Sequence, residues 1–474
     1  MKKNILNKMT PSQLLVSLFV VLIIIGTSLL MLPISTKSGS ISFINALFTS
    51  TSASCVTGLI VLDTPHDFTI FGQIIILILI QIGGIGIMTF SSFIALMFGR
   101  KLGFFSYLSL KEDLNQNNLG DIKTLLRYVI KMTFWFEFIG AMILWSRFKN
   151  IEHSMHFEFS SAYLAVFHSI SAFCNAGFSL FTNNLELFPN DIIINLVIIF
   201  LIFFGGIGFL TILDIINNKL NAEQIFEKSI KGVASKKKRL TSYTNIRTSY
   251  GLSLNSKIVI AVSLLLIILG TISIFSIEYT HSQAFRMFSF KKEILVSLFG
   301  AVTPRTAGFD TIPMNFFSIP TIFFIIMLMF IGASPGSTGG GIKTTSLAVL
   351  ILATIAEIRG QNKIVIFKKQ LSWDIVHKVL ALLFISVVLI FTDTLLLSII
   401  EKKKFIELLF EVVSAFGTVG LSLGITSKLS ALGKLIITLT MLIGRLGPLT
   451  FAVSLSKAEK NVNLSYPEEN IMIG

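Results

Sequence analysis

Long runs of hydrophobic residues, separated by short polar segments, dominate the pattern along this chain. Several runs reach the roughly 20 apolar residues that a helix needs to cross a bilayer, including those that begin at Leu14 and Ile258. The runs do not alternate apolar and polar residues as the strands of a membrane barrel do. The pattern therefore predicts a helical membrane protein. The first run is too long for a secretion signal, so we interpret it as a membrane helix.

Four short segments of similar sequence recur at wide intervals. Each contains a glycine followed by Leu or Phe, and in three of them Ser-Ala begins six residues before that glycine. The segments are SASCVTGL (52–59), SAFCNAGF (171–178), VTPRTAGF (302–309) and SAFGTVGL (414–421). A second glycine motif follows each segment, as GGIG at 83, GGIG at 205, GGGI at 339 and GRLG at 444. This recurrence indicates four internal repeats, and packing of inner helices is the favoured interpretation of the second motif.

Each repeat is predicted to contain an apolar helix, a short amphipathic segment, a glycine turn and a second apolar helix. The short segments 43–54 and 405–416 have about twelve residues, a length typical of re-entrant elements. We therefore predict an all-α polytopic membrane protein, in which four helix, re-entrant pore loop and helix repeats supply eight transmembrane helices around a pseudo-fourfold pore. The predicted spans are 12–34, 69–98, 124–146, 189–215, 256–278, 317–357, 374–400 and 428–456. The predicted units are repeat 1 (12–98), repeat 2 (124–215), a basic cytoplasmic linker (216–257), repeat 3 with an intramembrane loop (258–357), repeat 4 (374–456) and a cytoplasmic tail (457–474).

Positive charge is concentrated between the predicted spans. The net charge is +14, and the densest group of Lys and Arg lies in the linker at 216–257. This distribution is typical of the positive-inside rule, which places the linker and, with eight spans, both termini in the cytoplasm. The EKKK sequence at 401 is an exception, because it falls on the predicted outer face. We predict a multi-pass protein of the cell membrane, embedded in the lipid bilayer, and nucleic-acid binding is the weaker interpretation of the charge.

Four glycine turns at membrane depth predict a pore for cations. Backbone carbonyls outside helices are tolerated within a bilayer where they line a cavity, and a ring of them replaces the hydration shell of a permeating cation. Glycine permits the unusual backbone angles and close approach that such a ring needs. The alternative, tight helix packing at the glycines, leaves the shared Ser-Ala unexplained. The predicted ion-binding residues of this selectivity filter, and the only predicted metal sites, are Val56, Thr57, Gly58, Asn175, Ala176, Gly177, Thr306, Ala307, Gly308, Thr418, Val419 and Gly420.

The sequences VTGL, NAGF, TAGF and TVGL, with GSTGGGIKTT in the third repeat and GRLGPLTF in the fourth, resemble the Trk/Ktr/HKT superfamily of potassium transporters. The resemblance covers nearly the whole chain. The absence of a helix pair before the first repeat and the ending SYPEENIMIG make the chain most similar to the Ktr membrane subunit. The resemblance implies a homodimer with one pore in each chain, and a separate cytosolic ring subunit that binds nucleotide. It implies no cofactor in this chain, with potassium, or sodium in some relatives, as the transported ion.

A glycine-rich segment interrupts the apolar run 317–357, which is too long for one crossing unless its middle is unwound. A phosphate-binding loop GxxxxGK[ST] does not fit, because Ile342 separates Gly341 from Lys343 and both flanks are apolar. We predict a mobile gating loop across the pore below the filter, as the resemblance also implies. For Arg445, near mid-membrane, the resemblance implies an electrostatic barrier to cations, and a buried ion pair with a loop carboxylate is the alternative. The predicted gate residues are Gly332, Ala333, Ser334, Pro335, Gly336, Ser337, Thr338, Gly339, Gly340, Gly341, Lys343 and Arg445.

Two charged residues lie beside the predicted filter. Arg305, three residues before Gly308, is predicted to be structural and to pair with a carboxylate such as Glu411, because a cation beside the filter repels the ion. Asp63 follows the first turn, where it either concentrates cations at the outer mouth or is inert.

Three other functions compete with potassium uptake. A sodium-preferring transporter of the same superfamily is disfavoured because Gly58 stands where the plant branch with sodium preference has serine. A polytopic membrane enzyme is disfavoured because the sequence shows no His, Asp and Glu constellation at spacings suited to catalysis. A scaffold subunit without transport leaves the four glycine turns unexplained.

Overall fold

The computed structural model of this 474-residue chain describes residues 10–86, 119–152, 158–216, 218 and 251–455. Three predicted regions lie outside these residues, entirely or for the most part. They are the end of repeat 1 (87–98), the basic linker (216–257) and the tail (457–474). The predictions for these regions remain predictions.

Twelve of the described helices form four groups of three, each with a long first helix, a short second helix and an apolar third helix. In chain order the helices are α1 (Pro11–Leu30), α2 (Phe43–Ser54) and α3 (Ile70–Ile85); α4 (Leu119–Glu152), α5 (Ser161–Phe173) and α6 (Ile192–Gly206), followed by α7 (Phe209–Ile216); α8 (Leu254–His281), α9 (Phe290–Val302) and α10 (Ile319–Phe330), followed by α11 (Thr344–Ile358); and α12 (Trp373–Ile400), α13 (Phe405–Gly417) and α14 (Ala431–Leu446), followed by α15 (Pro448–Leu455). The order matches the predicted sequence of elements within a repeat.

The four long helices α1, α4, α8 and α12 contain segments that are long and apolar enough to cross a membrane. The mean hydropathy of these segments is 2.5, 1.4, 2.9 and 2.6. Large apolar side chains on them are exposed, such as Ile24 (56%), Phe134 (61%) and Phe384 (70%). Apolar patches of this kind on a monomer mark surfaces that contact a membrane or another protein. Their length and composition fit a lipid-facing outer layer.

The short helices lie inside this layer. Ser42 and Ser160 cap two of them, because each Oγ accepts a hydrogen bond from the backbone N–H three residues later. Each of the four contains a phenylalanine with almost no exposed surface: Phe48, Phe173, Phe299 and Phe416. Helix α2 coincides with the predicted segment 43–54, and α13 is one residue longer than the predicted segment 405–416, so these two predictions are confirmed.

The third helices of the first, second and fourth groups end at the second glycine motif. Gly86, Gly208 and Gly447 adopt φ values of 91°, 89° and 85°, which suit glycine and stop a right-handed helix. The chain bends by 96° between α6 and α7 and by 99° between α14 and α15. The predicted spans 189–215 and 428–456 are therefore wrong as continuous helices.

The same motif also packs helices closely, as predicted. A Cβ atom added to Gly83, Gly205 or Gly444 would lie 2.0 Å from a carbonyl oxygen near the end of the short helix of the same group. These oxygens belong to Ser54, Phe173 and Phe416. Only glycine permits this approach, so each inner helix touches the short helix where the glycine turn begins.

The third group departs from the other three. Helix α10 ends at Phe330, nine residues before GGGI begins at 339, so this motif lies in a loop and packs no inner helix. The predicted span 317–357 is divided into α10 and α11 by this loop, as the length of the run indicated.

A small hairpin is the exception to the predicted all-α fold. Strands β1 (Ile364–Ile366) and β2 (Lys369–Leu371) pair antiparallel between α11 and α12. The β-branched residues of β1 favour a strand. Phe367 and Lys368 form the two-residue turn with φ values of 48° and 61°, and their side chains gave no turn signal in the sequence.

Candidate functional site

The four glycine turns share one backbone conformation. The residue two positions before each glycine has a left-handed φ: 56° at Val56, 59° at Asn175, 67° at Thr306 and 50° at Thr418. The four glycines also have positive φ, between 68° and 94°. A β-branched residue rarely adopts this conformation, and such strain persists where the surrounding structure holds the backbone in place.

The shared serine explains how the turns are held. The N–H of Gly58 donates to Ser52 Oγ, and the N–H of Gly420 donates to Ser414 Oγ, both at 3.1 Å. In the second turn Ser171 Oγ instead donates to the carbonyl of Phe178 at 2.7 Å. The third segment has no serine, and Thr303 Oγ1 donates to the carbonyl of Phe309. A hydroxyl near the end of each short helix thus fixes the turn that follows it.

The four turns form a closed ring, which we call the glycine ring (residues 56–58, 175–177, 306–308 and 418–420). A Cβ atom added to each glycine would meet the backbone carbonyl oxygen that precedes the glycine of the next turn. The distances are 2.4 Å from Gly58 to Ala176, 2.9 Å from Gly177 to Ala307, 2.5 Å from Gly308 to Val419 and 2.1 Å from Gly420 to Thr57. The contacts run in the order of the chain and return to the first turn. Carbonyls from all four segments therefore meet around one axis.

A cavity of about 280 Å³, which we call the outer cavity, opens on one side of the ring. The four glycines line it together with the carboxylates of Asp63, Glu186 and Asp310. Burial raises the pKa of all three, and the neighbouring Glu186 charge helps to raise the pKa of Asp310 to about 8. The Oδ1 atom of Asp310 is buried without a hydrogen-bond partner. The cavity therefore has more acidic groups than Asp63, the one that the sequence singled out.

Sequence reasoning did not single out Asp310 or Asn184, which also line this cavity. Asp310 lies two residues after Gly308, so its position beside the third turn was a usable signal. Asn184 gave no signal, yet its side-chain N–H donates to the carbonyl of Gly308 at 3.2 Å from the loop after the second turn. This hydrogen bond joins two neighbouring turns on the outer side of the ring.

The glycine-rich loop (332–343) lies against the other side of the ring. The N–H of Gly340 donates to Thr418 Oγ1 at 2.9 Å, and a Cβ added to Gly339 would lie 2.0 Å from Thr306 Oγ1. Thr306 and Thr418 precede the glycines of their turns, whereas the outer cavity is lined by the glycines and residues after them. The loop and the outer cavity therefore lie on opposite sides of the ring.

The loop is also held by the end of α6. The N–H groups of Ser334 and Thr338 donate to the carbonyls of Gly206 and Gly205, at 2.9 and 3.2 Å. The N–H of Phe209 donates back to the carbonyl of Gly336 at 3.0 Å. Opening the loop therefore requires several backbone hydrogen bonds to break, a cost that its glycine-rich composition did not reveal.

Arg445 connects the loop to the first group of helices. Its two terminal nitrogens donate to the carbonyl of Thr338 in the loop and to the carbonyl of Gly83 at the end of α3. Lys343 Nζ donates to the carbonyl of Gly339 at 2.7 Å. The structure thus brings Arg445, Lys343 and the loop together beside the ring.

The predicted pair of Arg305 with Glu411 is wrong. Arg305 donates to the hydroxyl of Ser263 on α8 at 2.9 Å and to the carbonyl of the same residue at 3.4 Å. Glu411 accepts hydrogen bonds from Ser422, at 2.8 Å, and from Thr426. Each group finds hydroxyl partners in its own surroundings, which satisfies part of its bonding without an ion pair.

Comparison with known proteins identifies the family. The model of the family described as "TrkH: Cation transport protein" matches residues 2–465. The Ktr system potassium uptake protein B of Bacillus subtilis is 39% identical over 98% of this chain and 97% of its own length. The potassium/sodium uptake protein NtpJ of Enterococcus hirae is 35% identical over 100% of this chain and 99% of its own. The crystal structure of the potassium transporter TrkH from Vibrio parahaemolyticus shares the fold, with a TM-score of 0.69 over 96% of this chain and 86% of that chain at 18% identity. The chain therefore belongs to the TrkH family of cation transport proteins, a family of membrane transporters and not of enzymes.

Proposed function

We propose that this chain takes up potassium across the cell membrane, with the glycine ring as its selectivity filter. The observation that carries the proposal is the closed order of the ring, in which the glycine of each turn lies against a carbonyl of the next turn. Rings of backbone carbonyls select cations by replacing their hydration shell. The name of the Bacillus subtilis relative, a potassium uptake protein, supports the choice of ion.

The proposed topology has four repeats and eight crossings. In each group the first helix crosses the membrane, and the short helix re-enters it and carries a turn to the ring. The third helix crosses back, and in the third group α10, the glycine-rich loop and α11 make this crossing together. The matching order of helices in the four groups supports this assignment. The carboxyl ends of the short helices point towards the ring, and the partial negative charge of a helix carboxyl end favours a cation there. With an even number of crossings and the basic linker inside, both termini are cytoplasmic.

The glycine-rich loop is the proposed gate. It contacts Thr306 and Thr418 on one side of the ring, where it obstructs a cation that has passed the filter. Arg445 and Lys343 add positive charge at the same place. The loop therefore presents a steric and an electrostatic barrier together.

Partner subunits complete the proposed transporter. Two copies of this chain form the homodimer, and a cytosolic ring subunit that binds nucleotide regulates the gate. The name "Ktr system" of the Bacillus subtilis relatives supports a system with several components. No cofactor is assigned to this chain.

The alternative ion is sodium. The Enterococcus hirae relative is named a potassium/sodium uptake protein, which keeps a sodium-transporting role in view. We favour potassium because the first turn carries Gly58, as the other three carry glycine at the same place. Competition between the two ions during uptake distinguishes these functions.

Uptake by cells that lack their own potassium transporters tests the proposal. Cells that express this chain, with and without a candidate cytosolic ring subunit, should grow at limiting potassium, and sodium should compete weakly. Absence of growth in both cases, with the protein present in the membrane, contradicts potassium uptake. Growth that sodium suppresses at equal concentration favours the alternative ion.

Deletion of residues 334–341 tests the gate separately. Because the loop obstructs the path below the ring, vesicles with the purified deletion variant should take up potassium faster and depend less on the ring subunit. The potassium-to-sodium preference should stay at the parental value, since the ring sets it. An unchanged or reduced flux in a correctly folded variant contradicts the gate.

A further inference from the structure

A buried carboxylate lies directly behind the second turn of the glycine ring. Glu137, on α4, is only 9% exposed. Its two carboxylate oxygens accept hydrogen bonds from the side-chain N–H₂ of Gln81 at 2.9 and 3.2 Å. The thiol of Cys174 lies 3.8 Å from Glu137 Oε1 and 3.6 Å from Gln81 Oε1. Cys174 is the residue before Asn175, so this group adjoins the ring itself.

Both oxygens of Glu137 accept hydrogen bonds, an arrangement that suits an ionised carboxylate. An ionised carboxylate only accepts hydrogen bonds, whereas a protonated one also donates. The donor to both Glu137 oxygens is the amide of Gln81, whereas the thiol of Cys174 lies nearer to Gln81 Oε1 than to Glu137 Oε1. No ion pair to Glu137 is found among the described residues. Burial without an opposite charge favours the protonated form of a carboxyl group, so the ionised form of Glu137 needs positive charge from another source.

The carboxylate of Glu137 has no counterpart in the first group of helices. Ser169 Oγ donates to the carbonyl of Glu137 at 2.7 Å, and Ser50 Oγ donates to the carbonyl of Ile23 at 2.8 Å in the first group. Ile23 therefore occupies the place that corresponds to Glu137. Gln81 stands two residues before Gly83, where the fourth group has Leu442 two residues before Gly444. The apolar residues elsewhere show that the fold does not require a carboxylate here.

We infer that Glu137 is an affinity-determining residue, whose negative charge stabilises the cation in the glycine ring. This inference rests on the proposed function of the ring. A cation in the ring supplies the positive charge that Glu137 lacks, and the low-dielectric surroundings keep the attraction strong over the intervening distance. Gln81 is the positioning residue, because its amide holds both oxygens of the carboxylate beside Cys174.

Potassium uptake kinetics in vesicles with the purified protein test this role through the Glu137→Gln variant, which keeps size and removes charge. We expect the KM for potassium to rise about five- to tenfold with little change in the maximal rate per molecule. Asp393→Asn is the matched control. Asp393 is also 9% exposed, but it accepts a hydrogen bond from Thr440 on α14 rather than adjoining the ring. Its removal should leave the KM at the parental value.

A second variant protects the test against misfolding. Glu137→Ile combined with Gln81→Leu installs the residue types found at the corresponding places, and replacing both hydrogen-bond partners by apolar groups is nearly neutral for stability. This variant should show the same rise in KM. A parental KM in either folded variant, or a fall in maximal rate alone, overturns the inference. Absence of potassium uptake by the parental protein instead contradicts the proposed function.

Discussion

Gly420 and Gly424 provide a matched pair of substitutions that tests the glycine ring. Both have a left-handed backbone, with φ values of 94° and 85°. A Cβ added to Gly420 would lie 2.1 Å from the carbonyl oxygen of Thr57, whereas one added to Gly424 would meet nothing within 4 Å. Alanine at either position carries the same conformational cost, and only alanine at 420 strikes the ring.

The expected difference between Gly420→Ala and Gly424→Ala follows from the distances in the structure. Left-handed backbone costs a residue with a side chain roughly 1–2 kcal/mol, and both variants carry this cost. Ordinary contacts of a Cβ begin at 3.4 Å, so the Thr57 carbonyl must move by about 1.3 Å to accept Gly420→Ala. Forcing an extra methyl into packed structure adds about 1–3 kcal/mol. This added strain falls on a carbonyl of the ring, where about 1.4 kcal/mol changes the preference between two ions tenfold.

The assay measures potassium uptake in the presence of competing sodium, in vesicles that contain each purified variant. We expect Gly424→Ala to keep the parental potassium-to-sodium preference and Gly420→Ala to lose about tenfold or more of it. Thermal unfolding of both variants is the control, because it shows whether each variant is folded. Equal preference in the two folded variants would refute the assignment of the ring as the filter.

Two further predictions concern the two sides of the ring. Arg445→Gln loses the charged hydrogen bonds to the carbonyls of Thr338 and Gly83, each worth about 1.5–3 kcal/mol. Potassium flux in vesicles should therefore rise about tenfold, with no change in the potassium-to-sodium preference. A lower flux from a folded variant contradicts the gate. Asp310 is protonated below its folded pKa of about 8 and ionised above it, so raising the external pH from about 7 to about 9 adds a negative charge to the outer cavity. The KM for potassium should fall over that range, and Asp310→Asn should remove this part of the pH dependence; an identical pH profile in the variant contradicts the reasoning.

The recurrent sequence SAxxxxGL and its relatives predicted the short helices and turns because each part has a local cause. A helix of about twelve residues is too short to span, a hydroxyl near its end holds the turn, and glycine alone tolerates the contact with the next turn. Local causes of this kind are visible in one segment at a time. These local causes are sufficient to identify the residues of the glycine ring from the sequence.

The bends and polar partners were not predictable in the same way. The GGIG sequences at 83 and 205 fit both helix packing and a helix end. In the structure the first glycine of each motif packs against the short helix, and the last glycine has the positive φ at which the helix stops. Arg305 required a polar partner, but the nearest one is Ser263, 42 residues away on another helix. Glu186 and Asp310 meet only because two turns are neighbours in the ring. Such contacts depend on the packing of the groups, which no single segment encodes.

Among the described residues a loop like that at 332–343 follows the third helix of one group, whereas the third helices of the other three groups end beside Gly86, Gly208 and Gly447. Opening of the proposed gate is therefore expected to be a one-site equilibrium within each chain, and no second loop in the described residues has to move with it. A single chain should respond to its regulator without cooperativity, with a Hill coefficient near 1. Any steeper response must originate in coupling between chains, through the second pore of a dimer or through a shared regulatory subunit. In the proposed transporter, the fourfold order of the glycine ring thus contributes to ion choice but not to the steepness of its regulation.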